Sequence, residues 1–214
     1  MILKREKINS FWEQLQETIE QLLSSRGDNR FEAEPLLKQY REQLQKIDSN
    51  LTFHFQSDEE DEGALEMVFG CDGFPESIHS VLSLIGAAPE LSGIEFKAFN
   101  NRYDPIPLSV NIGEEFCEIT DFWCRVSVVK NRMHLEIYLE DAPQVLDMDP
   151  RVEAVMIYLD ALIGEYELMT RVWALDWFEL PKSPEDHGLT KLVDLREYFD
   201  EVKRGVSPIG ITLH

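Results

Sequence analysis

Between Leu51 and Leu180 the hydrophobic pattern runs through strand, strand, helix, strand, and then through the same four elements again. The first copy spans Leu51 to Phe55, Leu65 to Phe69, a helix from about Pro75 to Ile85, and Ile94 to Phe99. The second spans Trp123 to Val129, Met133 to Leu139, a helix from about Pro150 to Gly164, and Met169 to Phe178. The two copies share little identity, so the repeat is one of pattern. It predicts an α+β protein with one continuous, mainly antiparallel sheet of six or more strands and both repeat helices on one face, and it argues against two unrelated domains. The expected organisation is an N-terminal helical segment over 1–50 docked on the body, then a single α+β domain over 51–214. That domain contains the pseudo-repeat at 51–99 and 122–180.

Local signals support the individual elements. Phe11, Leu15, Ile19 and Leu22 recur at helical spacing, as do Leu37, Tyr40, Leu44 and Ile47, with Arg26 to Asn29 as the break between them. Each helix has one apolar stripe, so the hairpin must be buried against something larger. Leu51, Phe53 and Phe55 alternate with Thr52 and His54 in the period of a half-buried strand, and Leu65, Met67 and Phe69 do the same. Pro75 and Pro150 sit at first helical positions, Asp149 is placed to cap the second helix, and Gly164 to close it. Residues 100–120, punctuated by Pro105, Pro107 and Gly113, form an irregular connection in which the copies join. Thr190 can cap a last helix with Leu192, Leu195, Tyr198, Phe199 and Val202 on its apolar side.

Charge narrows the classes of partner. The 214-residue chain carries a formal net charge of −21. Residues 1–50 hold 8 Lys+Arg against 9 Asp+Glu, so nearly all of the field belongs to the remainder. Such a field repels nucleic acid phosphates and anionic membranes and favours a basic partner protein or cations. No apolar run approaches the roughly 20 residues of a membrane-spanning helix, and Met1 to Lys7 is charged, so the expected location is cytoplasmic. Cys71, Cys117 and Cys124 are an odd number without a Cys-x-x-Cys pair, which suggests buried thiols, with neither a disulfide framework nor a thiolate zinc site.

Catalytic and cofactor signatures are missing from the sequence. The five histidines, His54, His79, His134, His187 and His214, have no metal-ligand spacing. No Gly-x-Gly-x-x-Gly, Walker-type or Gly-x-Ser-x-Gly run occurs. Asp58, Glu60, Glu62 and Gly63 match the opening of a calcium loop, but its twelfth position would be Phe69 where a bidentate Glu is needed, so a solvated hairpin tip is expected. Asp147-x-Asp149 resembles a short acidic metal pair, yet Asp149 already has its capping role. No catalytic residue, metal ligand or cofactor is assigned, and a binding protein is favoured over an enzyme.

Several runs together resemble a family of uncharacterised bacterial proteins: Phe11-Trp12, Leu51-Thr52-Phe53-His54-Phe55, Cys71-Asp72-Gly73, Ala87-Ala88-Pro89-Glu90-Leu91 leading to Phe96-Lys97-Ala98-Phe99, Leu159-Asp160 with Gly164-Glu165-Tyr166, and Leu192 to Asp200. The resemblance covers most of the chain and implies no catalytic residue. Within the Gly-Glu-Tyr run, Tyr166 is expected to pack and Glu165 to be solvated.

One set of side chains is a candidate binding surface. If Val126, Val128, Leu135, Ile137 and Val172 face the helices, then Arg125, His134, Glu136, Tyr138, Arg171, Trp173 and Trp177 share the opposite face. That face is aromatic enough to supply interface energy. Three readings follow: Phe11, Trp12 and Tyr40 of the N-terminal helices cover it, it is a functional groove, or it is a homodimer seam. The functional expectation is an acidic, non-enzymatic binding or regulatory module for a basic protein. Its rivals are a small-molecule or metal-dependent site on the aromatic face and a structural homodimer subunit.

Overall fold

The computed structural model describes residues 2–24, 30–56, 64–206 and 208–209, and the calcium-like turn at 57–63 lies outside them. The protein is α+β, with six helices among the described residues. It divides into two compact units, Met1–Asn100 and Asn101–His214.

The first unit begins with helices α1 (Ile2–Ser24) and α2 (Arg30–Ile47). It continues through β1 (Thr52–Gln56), β2 (Leu65–Gly70), a 3-10 turn at Pro75–Ser77, α3 (Ile78–Ile85) and β3 (Ile94–Ala98). β1 pairs antiparallel and β3 parallel with β2. Alternation puts Phe53, Phe69 and Phe96 on one face, and the helical hairpin inserts its aromatic stripe there. Phe11 lies 5.8 Å from Phe69, Trp12 4.7 Å from Phe96 and Tyr40 6.3 Å from Phe53. Phe11 and Tyr40 are wholly buried, and each such side chain contributes about 1.5–3 kcal/mol through apolar burial. Trp12 Nε1 donates to the Leu84 carbonyl at 3.0 Å, which satisfies its polar tip and ties α1 to α3. The turn before α3 places Asp72 and Gly73 at positive φ, a conformation glycine adopts without a Cβ penalty. After α2, Asp48 accepts from Ser77 Oγ, Ser80 Oγ and the Asn50 amide. Burial opposes its charge, but these hydrogen bonds and Lys4 prevail and hold its carboxyl below the usual range.

The second unit holds a hairpin, β4 (Ser109–Ile112) with β5 (Glu115–Glu118), inside the stretch expected to be irregular. Its main sheet contains β6 (Trp123–Val129), β7 (Arg132–Leu139), β8 (Val172–Glu179) and β9 (Thr190–Lys191), in spatial order β8-β7-β6-β9. As in the first unit, an antiparallel pair is followed by a parallel crossover: β6 with β7, then β7 with β8. The crossover consists of α4 (Pro150–Ile163) and α5 (Glu165–Arg171), and α6 (Leu195–Val202) follows. Cys124, Leu135 and Ile137 form the core with Val155, Tyr158 and Leu162 of α4 and Leu195 and Phe199 of α6. Asp149 caps α4 as expected, accepting from the Arg151 amide at 2.8 Å. Tyr158, fully buried, donates its hydroxyl to the Cys117 carbonyl at 2.6 Å.

Arg102 ties the helix ends of this unit together. Its guanidinium grips both Asp200 oxygens at 2.7 Å, reaches Glu167 at 3.3 Å and donates to the Ile163 carbonyl at 3.2 Å. Lys203 completes the cluster, 2.8 Å from Glu167 and 3.0 Å from Asp200. The hydrogen bonds from Arg102 and Lys203 hold the Asp200 carboxyl far below its ordinary range despite its partial burial.

Several expectations are corrected. The repeat of element order and strand pairing is real, but its copies form separate sheets of three and four strands, because the chain divides at Asn100 between them. Thr190 pairs with Cys124 as part of β9, and α6 begins five residues later, after a 3-10 turn. Glu165 is buried and Tyr166 exposed, the reverse of expectation: Gly164, at φ +84°, resets the helix direction before α5.

Candidate binding face

The four-stranded sheet has one face against α4 and α6 and another that turns away from them. Register fixes the membership of the second face. Trp123 opposes Tyr138, Arg125 opposes Glu136 and Ser127 opposes His134, while Tyr138 in turn neighbours Phe178, Glu136 neighbours Asp176 and His134 neighbours Ala174. At the other edge Trp123 opposes Lys191. The structure therefore brings Arg125, His134, Glu136 and Tyr138 onto one face, as expected.

At its centre Arg125 binds Glu136 Oε2 through Nε at 2.8 Å and Nη2 at 2.5 Å, and Tyr138 donates to the same oxygen at 2.5 Å. The Tyr138 ring stacks on Phe178, with centroids 5.3 Å apart, and carries the Arg125 guanidinium 5.8 Å from its centroid. Desolvation, then the hydrogen bond and charge of Glu136, push the Tyr138 hydroxyl up to about 12. It therefore stays protonated and serves as a donor. Lys191 lies 4.2 Å from the Trp123 ring centroid, extending the aromatic row across the sheet.

A β-bulge accounts for the residues that move off this face. The register shifts between Met133 and His134, opposite Val172 and Ala174, leaving Trp173 as the extra residue. Trp173 stays on the outer face, 45% exposed, with Arg132 3.6 Å from its centroid. Beyond the bulge the alternation inverts, so Trp177 packs against the core and Phe178, 43% exposed, takes its place outside. Arg171 also leaves the face, because α5 runs through it, and it donates to the Val206 carbonyl at 3.3 Å. Val128 keeps its core-side register but is 46% exposed, at the tip of the β6–β7 hairpin. Phe11, Trp12 and Tyr40, expected against Trp173 and Trp177, instead pack on Phe69, Phe96 and Phe53 of their own unit. Sequence reading missed Trp123, which strict alternation with Arg125 reveals, and Phe178, which it conceals.

Cys124 lies on the core side of the sheet, where burial pushes its thiol up to about 11. Burial likewise raises the Cys117 thiol. A cavity of about 330 Å³ adjoins Trp123 and Lys191, but Arg125, His134, Tyr138 and Trp173 do not line it. Its cations are already engaged: Lys191 donates to the Thr120 carbonyl, and Arg151 to the Glu140 and Asp141 carbonyls and to Asp149. Among the described residues no group of three or more His, Cys, Asp or Glu side chains is placed to hold a metal ion, and no helix is long and apolar enough to cross a membrane. Comparison with family models, curated proteins and solved structures gives no match for this chain.

Proposed function

We propose that the chain is a non-enzymatic, cytoplasmic protein-binding module that recruits a basic protein through the outer face of its C-terminal sheet. The observation that carries this reading is that Trp173 and Phe178, 45% and 43% exposed, stand on the sheet face turned away from α4 and α6. Asp176 lies between them on the same strand. Exposed aromatics of this size are the side chains that supply interface energy, while the net charge of −21 selects a cationic partner and speeds its encounter. The ion pair of Arg125 with Glu136 fixes the polar centre of the face, so binding would require little reordering there.

The test is an affinity column of the intact protein, loaded with lysate at low salt and eluted with a salt gradient. A parallel column carries the Phe178→Ala/Asp176→Lys variant. A basic protein that leaves the first column at moderate salt and is absent from the second supports the reading. Equal retention on both, or no retained basic protein, refutes it.

A further inference from the structure

We infer that strand β8 is an acceptor edge: an extended, lysine- or arginine-rich segment of the partner adds to the sheet beside β8 by backbone hydrogen bonding. This rests on the basic-partner reading above and assigns it a mode of recognition. β8 is eight residues long and terminates the sheet order β8-β7-β6-β9. The Leu180 amide donates to the Leu139 carbonyl at 3.0 Å. By alternation the backbone groups of Phe178, Asp176 and Ala174 also turn toward β7, and those of Leu175, Trp177 and Glu179 turn outward along the edge. A row of outward amides and carbonyls is a template for another strand.

Burial agrees with an open edge. No residue of β8 is fully buried, and even its core-side Leu175 and Trp177 remain partly exposed, whereas β7 beside it buries Met133, Leu135, Ile137 and Leu139. Proteins blunt such edges with lysine or proline. Val172–Glu179 has neither, although β3 and β9, at the margins of their sheets, carry Lys97 and Lys191. The bulge at Trp173 twists only the start of the strand. The chain's own Ile209 amide bonds the Thr170 carbonyl, two residues before β8 begins.

Charge selects the occupant. The two ionisable side chains of β8 are both acidic, Asp176 and Glu179. Glu179 is held by the amides of Asp141 and Ala142 at 2.9 and 2.7 Å, which leaves Asp176, exposed on the outer face, to read the incoming strand. A second copy would set Asp176 within the same acidic field. A segment alternating cations with β-branched residues would place a cation across from Asp176 and apolar groups beside Leu175 and Trp177.

The experiment uses the full chain and an acetylated, amidated nonapeptide of alternating lysine and valine. A second peptide carries the same sequence N-methylated at every other residue. Isotope-edited amide exchange should show slowing at Leu175, Trp177 and Glu179 on addition of the first peptide. N-methylation and Asp176→Lys should each weaken binding by about tenfold or more, equivalent to about 1.4 kcal/mol, with an unchanged melting temperature for the variant. Protection confined to other amides, or equal binding of both peptides, overturns the edge and leaves the basic-partner reading standing. If neither peptide binds at low salt the edge assignment fails, and the lysate columns decide the broader reading separately.

Discussion

Replacing Arg102 with methionine tests the account of how the C-terminal unit is held together. The substitution keeps an apolar stem near Phe199, over which the guanidinium sits at 5.6 Å, and removes the fork to Asp200, the contact to Glu167 and the bond to the Ile163 carbonyl. Breaking a fully buried ion pair costs about 3–5 kcal/mol, and breaking an exposed one up to about 1 kcal/mol. The side chains of Arg102, Glu167 and Asp200 are 26%, 30% and 39% exposed, and Lys203 stays beside both carboxylates. The loss should therefore lie between these limits, at about 2 kcal/mol, a fall in Tm of roughly 8 °C for a unit of this size. The sign of the pH dependence follows from the depressed carboxyl of Asp200. Its stabilising contribution is complete above the ordinary aspartate range, near about 4, and is lost as pH falls through that range toward the lower folded value. Thermal melts followed by tryptophan fluorescence at neutral pH and at successively lower pH should show the wild-type advantage narrowing below about pH 4. A loss under about 0.5 kcal/mol, the size of an ordinary surface substitution, or a deficit that widens in acid, would refute the reasoning.

Other outcomes follow from single contacts. Tyr158→Phe removes the hydroxyl donor to the Cys117 carbonyl, which the β4–β5 ladder still pairs, and should cost about 0.5–1.5 kcal/mol, the net worth of one hydrogen bond, measured by urea unfolding. Asp149→Ala removes both the cap of α4 and a partner of Arg151 and should cost about 1–2 kcal/mol in the same assay. All three cysteines are buried, so a thiol reagent should modify none of them in the native protein and all three in denaturant; rapid native labelling of Cys124 would contradict its placement. Phe178→Ala removes the ring stacked on Tyr138 and should cost about 0.5–1.5 kcal/mol, leaving the protein folded, yet abolish retention of the partner on the affinity column.

Much of the fold was legible because its signals are local. Pro150 after Asp149 marks a helix start by geometry and capping, and the alternation of Leu51, Phe53 and Phe55 declares a strand whatever it pairs with. Element order in both copies was therefore readable, as was the shared face of Arg125, His134, Glu136 and Tyr138. What sequence could not supply was non-local. Whether six strands join one sheet or two depends on pairing across Asn100, which no residue pattern encodes. The bulge at Trp173 depends on a register choice between β7 and β8, so counting by twos from Trp173 put Trp177 outside and Phe178 inside. Met169 to Arg171 read as strand because Met169 and Val172 are apolar, but Gly164 restarts a helix that carries Arg171 away from the face.

All of the strand pairings in the first unit lie between β1 and β3, and the helices that cover its aromatic face come earlier still. Everything needed to close that sheet and bury Phe69 has therefore been synthesised by the time Asn100 emerges from the ribosome. The N-terminal unit can assemble its own sheet and helical cover during translation. The second sheet must wait, because β6 receives β9 only after Lys191 has been made. During that interval Cys124, Leu135 and Ile137 of β6 and β7 lack the cover that α4 and α6 give them in the finished core, and transiently exposed apolar surface of this kind is where misfolding starts.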